Sequence, residues 1–125
     1  MKKFIHAILF CAVGISLASL AEARVAEIWQ CKLQEGKTME EVAAANGKWL
    51  AFVNKSVEGG DIHSYALESI VGDSTGFVFV DTFPSRGAWA AAKDAIDSPE
   101  GKAVEAGFED LFDCTENRLY KSTEH

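Results

Sequence analysis

The chain has 125 residues, with 12 basic against 19 acidic side chains and a formal net charge of −7. That length suits one domain. An acidic chain without a basic cluster repels phosphate backbones and anionic lipid, so neither nucleic acid nor a membrane surface is an expected partner.

Residues 1–23 read as a secretory signal peptide. Lys2 and Lys3 form a positive start, Phe4 to Leu20 is apolar, and Ala21-Glu22-Ala23 supplies the small residues that a signal peptidase reads. A spanning helix needs about 20 strongly apolar residues, whereas this stretch contains His6, Gly14, Ser16 and Ser19. Cys11 lies inside the apolar region behind Phe10, where a lipoprotein would need a small residue, so it is expected to leave with the leader. The expected product is one domain, residues 24–125, periplasmic or secreted and free of the membrane once cleaved.

Val25 to Leu33 alternates as a strand, with Val25, Trp29, Cys31 and Leu33 on one side. Gln34 to Lys37 breaks it, and Thr38-Met39-Glu40-Glu41 is a capping box that starts a helix. Val42, Ala45, Trp49, Phe52 and Val53 fall on one face of that helix, which should close before Gly59-Gly60. Ile62 to Val71 reads as a second strand and Gly72 to Gly76 as a turn. Thr75 to Phe83 is a third strand whose run Phe77-Val78-Phe79-Val80 suggests burial on both faces. Pro84-Ser85 should cap a helix from Arg86 to about Ile96, built on alanine and Trp89. Ser98-Pro99-Glu100 starts a shorter helix whose apolar side is Val104, Phe108, Leu111 and Phe112, and Thr115 to Lys121 is the last strand.

The order β-α-β-β-α-α-β predicts an α+β fold, a ferredoxin-like split βαβ with a four-stranded antiparallel sheet and helices on one face. First and last strands are neighbours in that topology, which brings Cys31 and Cys114 together. In an oxidising compartment the two should form one disulfide. An uncovered apolar sheet face is costly in water, and a second copy packed sheet to sheet is the simplest cover, so a homodimer is expected.

The whole stretch after the leader resembles the dimeric α/β-barrel superfamily, which includes antibiotic-biosynthesis monooxygenases and stress-responsive barrel domains. The features that carry the resemblance are Gly36-Lys37-Thr38 before the first helix, Trp49 and Trp89 in the main helices, Phe77-Val78-Phe79-Val80-Asp81, and the extra helix from Pro99 to Phe112. It implies two subunits whose open sheet faces meet around a pocket. A superfamily of varied activities implies no particular reaction.

Two functions stay open: a domain binding an apolar small molecule or acting as an interaction module, and a cofactor-independent oxygenase or related enzyme on an aromatic or polyketide-like substrate. No cofactor and no metal site is expected, because phosphate loops, nucleophile elbows and metal-ligand spacings are lacking. Trp29, Tyr65, Phe77 and Phe79 are the candidate pocket walls. The candidate catalytic groups are Asp81, His63 and Glu68. Asp81 directly follows four large apolar residues, where a carboxylate is expensive unless paired or useful. If Asp73 and Gly76 close the hairpin face to face, Glu68 stands opposite Asp81, and two carboxylates so opposed would raise one pKa and make a general acid or base; a one-residue slip puts Glu68 opposite Val80. Any such pocket is expected on the sheet face away from the main helices.

Overall fold

The computed structural model describes residues 23–125; the leader, apart from Ala23, and Cys11 lie outside them. Strand β1 (Val25–Leu33) leads to helix α1 (Met39–Ser56), then to β2 (His63–Glu68) and β3 (Gly76–Phe83). Helices α2 (Arg86–Ile96) and α3 (Pro99–Glu105), a 3₁₀ turn (Ala106–Phe108) and β4 (Phe112–Lys121) complete the chain. The sheet order is β2-β3-β1-β4 with every pair antiparallel. This is the α+β, ferredoxin-like arrangement.

Each helix begins on a side-chain cap. The Glu41 amide donates to Thr38 Oγ1 at 3.3 Å while Thr38 N–H donates to Glu41 Oε2 at 2.9 Å. Ser85 accepts from the Ala88 amide at 3.0 Å, and Ser98 accepts from the Gly101 amide at 3.1 Å with Pro99 at the first helical position. The inward residues of β1 and β3 pack beneath the helices in two clusters. Val25 and Phe83 meet Val53, Val57, Ala88 and Ala92; Cys31, Phe77 and Phe79 meet Val42, Ala45 and Leu111. Phe77 and Phe79 each meet Phe112 edge-on at 5.4 Å between ring centres.

Cys31 and Cys114 are directly opposed on β1 and β4 and joined in a disulfide that spans 83 residues of sequence. The strand order does place them together, as adjacency of the first and last strands requires.

The structure departs from the sequence reading at two places. Strand β4 starts at Phe112 rather than Thr115, because α3 gives way to the 3₁₀ turn and Asp110 turns the chain with φ 64°. Phe112 is therefore a strand residue in the aromatic cluster and not part of a helical face. α1 does close before the glycines, on Val57 in extended conformation, and the positive φ values of Gly59 and Gly60 serve the following turn. β2 ends at Glu68, leaving Ile70 and Val71 in an exposed loop.

Gly101 marks the tightest joint. A Cβ there would lie 2.3 Å from the Ala95 carbonyl oxygen and 2.5 Å from Ile96 Cα, both backbone atoms that cannot swing aside. Gly101→Ala is expected to cost about 1–3 kcal/mol, the usual range for overpacking, and to lower the melting temperature. Thermal unfolding of the variant checks it, and an unchanged melting temperature would mean that α2 and α3 separate without penalty.

Candidate functional site

Strand alternation decides which way Asp81 faces. In β3, Phe77, Phe79, Asp81 and Phe83 share one parity and are buried, while Val78, Val80 and Thr82 alternate with them. Asp81 thus points toward the helices, not to the open face. There it borders a cleft of about 840 Å³ over the middle of the sheet, bounded by α1, α2, α3, the 3₁₀ turn and β4. The expected place of Asp81 at the polar end of a pocket on the opposite face is corrected accordingly: residues of the same parity as Phe79 and Phe83 must follow them to the helix side.

Trp29, Trp49, Phe79, Phe83, Phe108 and Phe112 form the aromatic walls. The polar inner end is made by adjacent strands. Asp81, 6 % exposed, stands opposite Glu27 of β1, 2 % exposed, in the ladder. On its other side it stands opposite Ser64 of β2, whose hydroxyl donates to Asp81 Oδ1 at 2.5 Å. Asn46 of α1 donates in turn to the Ser64 oxygen at 2.8 Å. Lys93 of α2 lies 2.6 Å from Glu27 Oε1, a charge contact off the hydrogen-bond direction, and Asn117 donates to Glu27 Oε2 at 3.0 Å. The Lys93 ammonium also lies 5.3 Å from the ring centre of Trp29 and 5.9 Å from that of Trp89.

Burial pushes the Asp81 carboxyl up to about 6, and the Glu27 charge adds to that shift; the Ser64 hydrogen bond and the Lys93 charge oppose it. A carboxyl at that value exchanges its proton near neutral pH. Such a group can act as a base on a bound molecule or as an anionic anchor for it.

The other candidates stand elsewhere. Glu68 is opposite Phe77, four positions from the place facing Asp81, and is exposed. The pairing Glu68–Asp81 is corrected because Asp73 closes its turn on its own strand, accepting from the Thr75 amide at 2.9 Å and the Thr75 hydroxyl at 2.6 Å. Thr75 then pairs with Leu33 and not with β2, so the hairpin connection is long and the register moves. His63 is exposed outside the cleft, with Nε2 2.9 Å from Asp61 Oδ1. Asp61 is held below the ordinary carboxylate range by its hydrogen bond from Arg24 and next by that from His63. Tyr65, opposite Val80, lies on the open face and is 54 % exposed, so it does not line the cleft. Phe77 is in the core beside the cleft and not on its wall.

Glu27, Ser64, Asn46 and Lys93 were not singled out from the sequence. Glu27 had a legible signal, a charge at an inward position between Val25 and Trp29. Lys93 follows Trp89 by four residues and therefore shares its helix face. Among the described residues no group of three or more His, Cys, Asp or Glu side chains could hold a metal, and no helix is long and apolar enough to cross a membrane.

No family model matches the chain, and no curated protein matches it. Solved structures do. SnoaB, a cofactor-independent oxygenase from Streptomyces nogalater, superposes with a TM-score of 0.62 at 12 % identity, over 82 % of this chain and 96 % of that one. A NIPSNAP family protein of unknown function from Agrobacterium tumefaciens gives 0.60 at 17 % identity, over 81 % and 89 % of the two chains. A dimeric ferredoxin-like protein of unknown function from Thermobifida fusca gives 0.55 at 12 %, over 81 % and 92 %. The fold they share with this chain is the α+β, ferredoxin-like one. At these identities the likeness concerns the fold alone.

Proposed function

We propose that the domain binds an apolar, ring-bearing small molecule in the cleft between sheet and helices, with Asp81 at the polar inner end. The observation that carries this reading is the placement of a buried carboxylate at the end of an aromatic-walled cavity large enough for a drug-sized molecule. Nile red, a neutral apolar dye, is expected to bind with enhanced emission. Trp49→Ala should weaken that binding about tenfold, the equivalent of roughly 1.4 kcal/mol. Equal binding by Trp49→Ala and the parent would place the dye on the open sheet face and remove the support for the cleft.

A second reading is favoured by the Asp81 carboxyl at about 6. The cleft could serve an enzyme in which Asp81 takes a proton from an acidic hydroxyl or C–H of an aromatic or polyketide-like substrate. Ser64 and Asn46 would hold the carboxylate in place. The description of SnoaB as a cofactor-independent oxygenase supports this use of the shared fold. His63 and Glu68 have no part in it. Turnover would rise with pH through about 6 and vanish in Asp81→Asn while Nile red uptake persists.

The proposal extends to assembly and location. The open face carries Tyr65 and Leu67, each 54 % exposed, beside Ile28, Val78, Val80 and Tyr120. A second copy packed on it by two-fold symmetry would cover these groups, and the dimeric Thermobifida fusca protein supports such a pairing. Sedimentation at micromolar concentration should give twice the mass of residues 24–125; a monomer would refute this part. The apparent leader and the disulfide support export to the periplasm or beyond.

A further inference from the structure

We infer that the ligand of the cleft is an organic ammonium ion, an amine on an apolar body whose positive charge is held by Asp81 against the tryptophan faces. The inference rests on the reading of the cleft as a ligand site and names the chemical class that fits it.

The charges give the first reason. Asp81, Asp97, Glu105 and Glu109 line the cleft against Lys93 and Lys102. The Lys93 ammonium contacts Glu27 at 2.6 Å, so one cation is shared between two carboxylates and only partly offsets the charge of Asp81. The partner of Asp81 is the neutral Ser64 hydroxyl on Oδ1, and Oδ2 accepts no side-chain hydrogen bond among the described residues. A carboxylate buried in that way is costly unless a positive group joins it. An anionic ligand would meet four carboxylates, and a neutral one would leave the imbalance in place.

The walls give the second reason. Aromatic faces attract cations, tryptophan most strongly. This molecule already uses its rings so, since the Lys93 ammonium sits over Trp29 and Trp89. Trp49, Phe79 and Phe83 offer further rings around the Asp81 end of the cleft. A carboxylate set among tryptophan and phenylalanine faces is chemistry suited to an ammonium on an organic body.

The pH dependence follows from the groups that face Asp81: Glu27 from β1 and Lys93 from α2, with Asp97, Lys102, Glu105 and Glu109 farther out on the lining. With its carboxyl at about 6, Asp81 loses its charge on acidification while an aliphatic amine keeps its own. Uptake of the amine should therefore fall between pH 7.5 and pH 5 (chosen about a unit or more to either side of that value).

The test is calorimetric titration of the full mature protein with phenethylamine, benzyltrimethylammonium and the isosteric neutral phenethyl alcohol. Both cations are expected to bind at least tenfold more tightly than the alcohol at pH 7.5. That preference should vanish at pH 5 and in Asp81→Asn, whose folding is checked by circular dichroism. Equal binding of all three probes, or a preference that survives Asp81→Asn, overturns the inference and leaves the apolar cleft standing. Failure of every probe also overturns it, and Nile red with Trp49→Ala then decides separately whether the cleft binds at all.

Discussion

Reduction of the Cys31–Cys114 bond is expected to lower stability by about 2–4.5 kcal/mol, within the usual range for loss of a native disulfide from a small domain. Closure of an 83-residue span restricts the unfolded chain strongly, and the chain-entropy relation puts the ceiling at about 4.5 kcal/mol. For a domain of this length the drop in melting temperature should be roughly 10–25 °C. Thermal unfolding with and without reductant measures it, and the Cys31→Ala, Cys114→Ala double variant gives the same comparison without thiols. Alanine is preferred to serine because Cys31 packs in the core beside Phe77 and Phe79, where a hydroxyl would lack a partner. A reduced protein that melts with the oxidised one would show that β1 and β4 hold together by their ladder alone. The bond would then say little about why the sequence keeps two cysteines in an acidic, small domain.

The fold was legible because its signals are local and agree with one another. The Thr38–Glu41 capping box, Ser85 after Pro84 and Pro99 after Ser98 each mark a helix start, and the structure places a helix at all three. The alternation of β1 and the order of elements placed Cys31 beside Cys114 without any knowledge of the sheet. Register was less legible. It depended on whether Asp73 bridged two strands or turned on itself, and the side-chain bonds to Thr75 that decide this have no signature beyond an Asp two residues before a Thr.

The site was half legible for the same reason. Asp81 stood out as a charge after an apolar run, but its neighbours depend on register and strand order. Once β3 lies between β1 and β2, the residues flanking Asp81 are Glu27 and Ser64, distant in sequence from each other. The assumption that Phe77 to Val80 is buried equally on both sides also hid the direction of Asp81. In the structure Phe77 and Phe79 are buried while Val78 and Val80 are only half-buried, so parity alone assigns the carboxylate to the helix side.

Asp81→Asn is expected to stabilise the ligand-free protein at pH 7. The folded carboxyl lies at about 6 against an ordinary 3.8, so above both values the charged form carries a penalty of about 3 kcal/mol. Between those values the folded state binds more protons than the unfolded one, and stability therefore falls as pH rises from about 4 to about 6 and levels off beyond. The parent should gain stability on acidification from pH 7 toward pH 4.5, the reverse of ordinary acid denaturation. Asp61 and Asp73, held low by their hydrogen bonds, act oppositely and only below about pH 4; both are exposed, so their effect is small. Asparagine keeps an acceptor for the Ser64 hydroxyl and removes the charge that titrates. Urea unfolding at pH 7.5, 6 and 5 should thus show a rising midpoint for the parent and a nearly constant, higher one for Asp81→Asn. A parent midpoint that does not move across this range would mean that water or the Lys93 ammonium already compensates the carboxylate. Asp81 would then be an ordinary solvated group, and both its service as a base and its need for a cationic ligand would lose their physical ground. A variant that is more stable yet no longer distinguishes phenethylamine from phenethyl alcohol would instead show stability given up for recognition at one buried carboxylate.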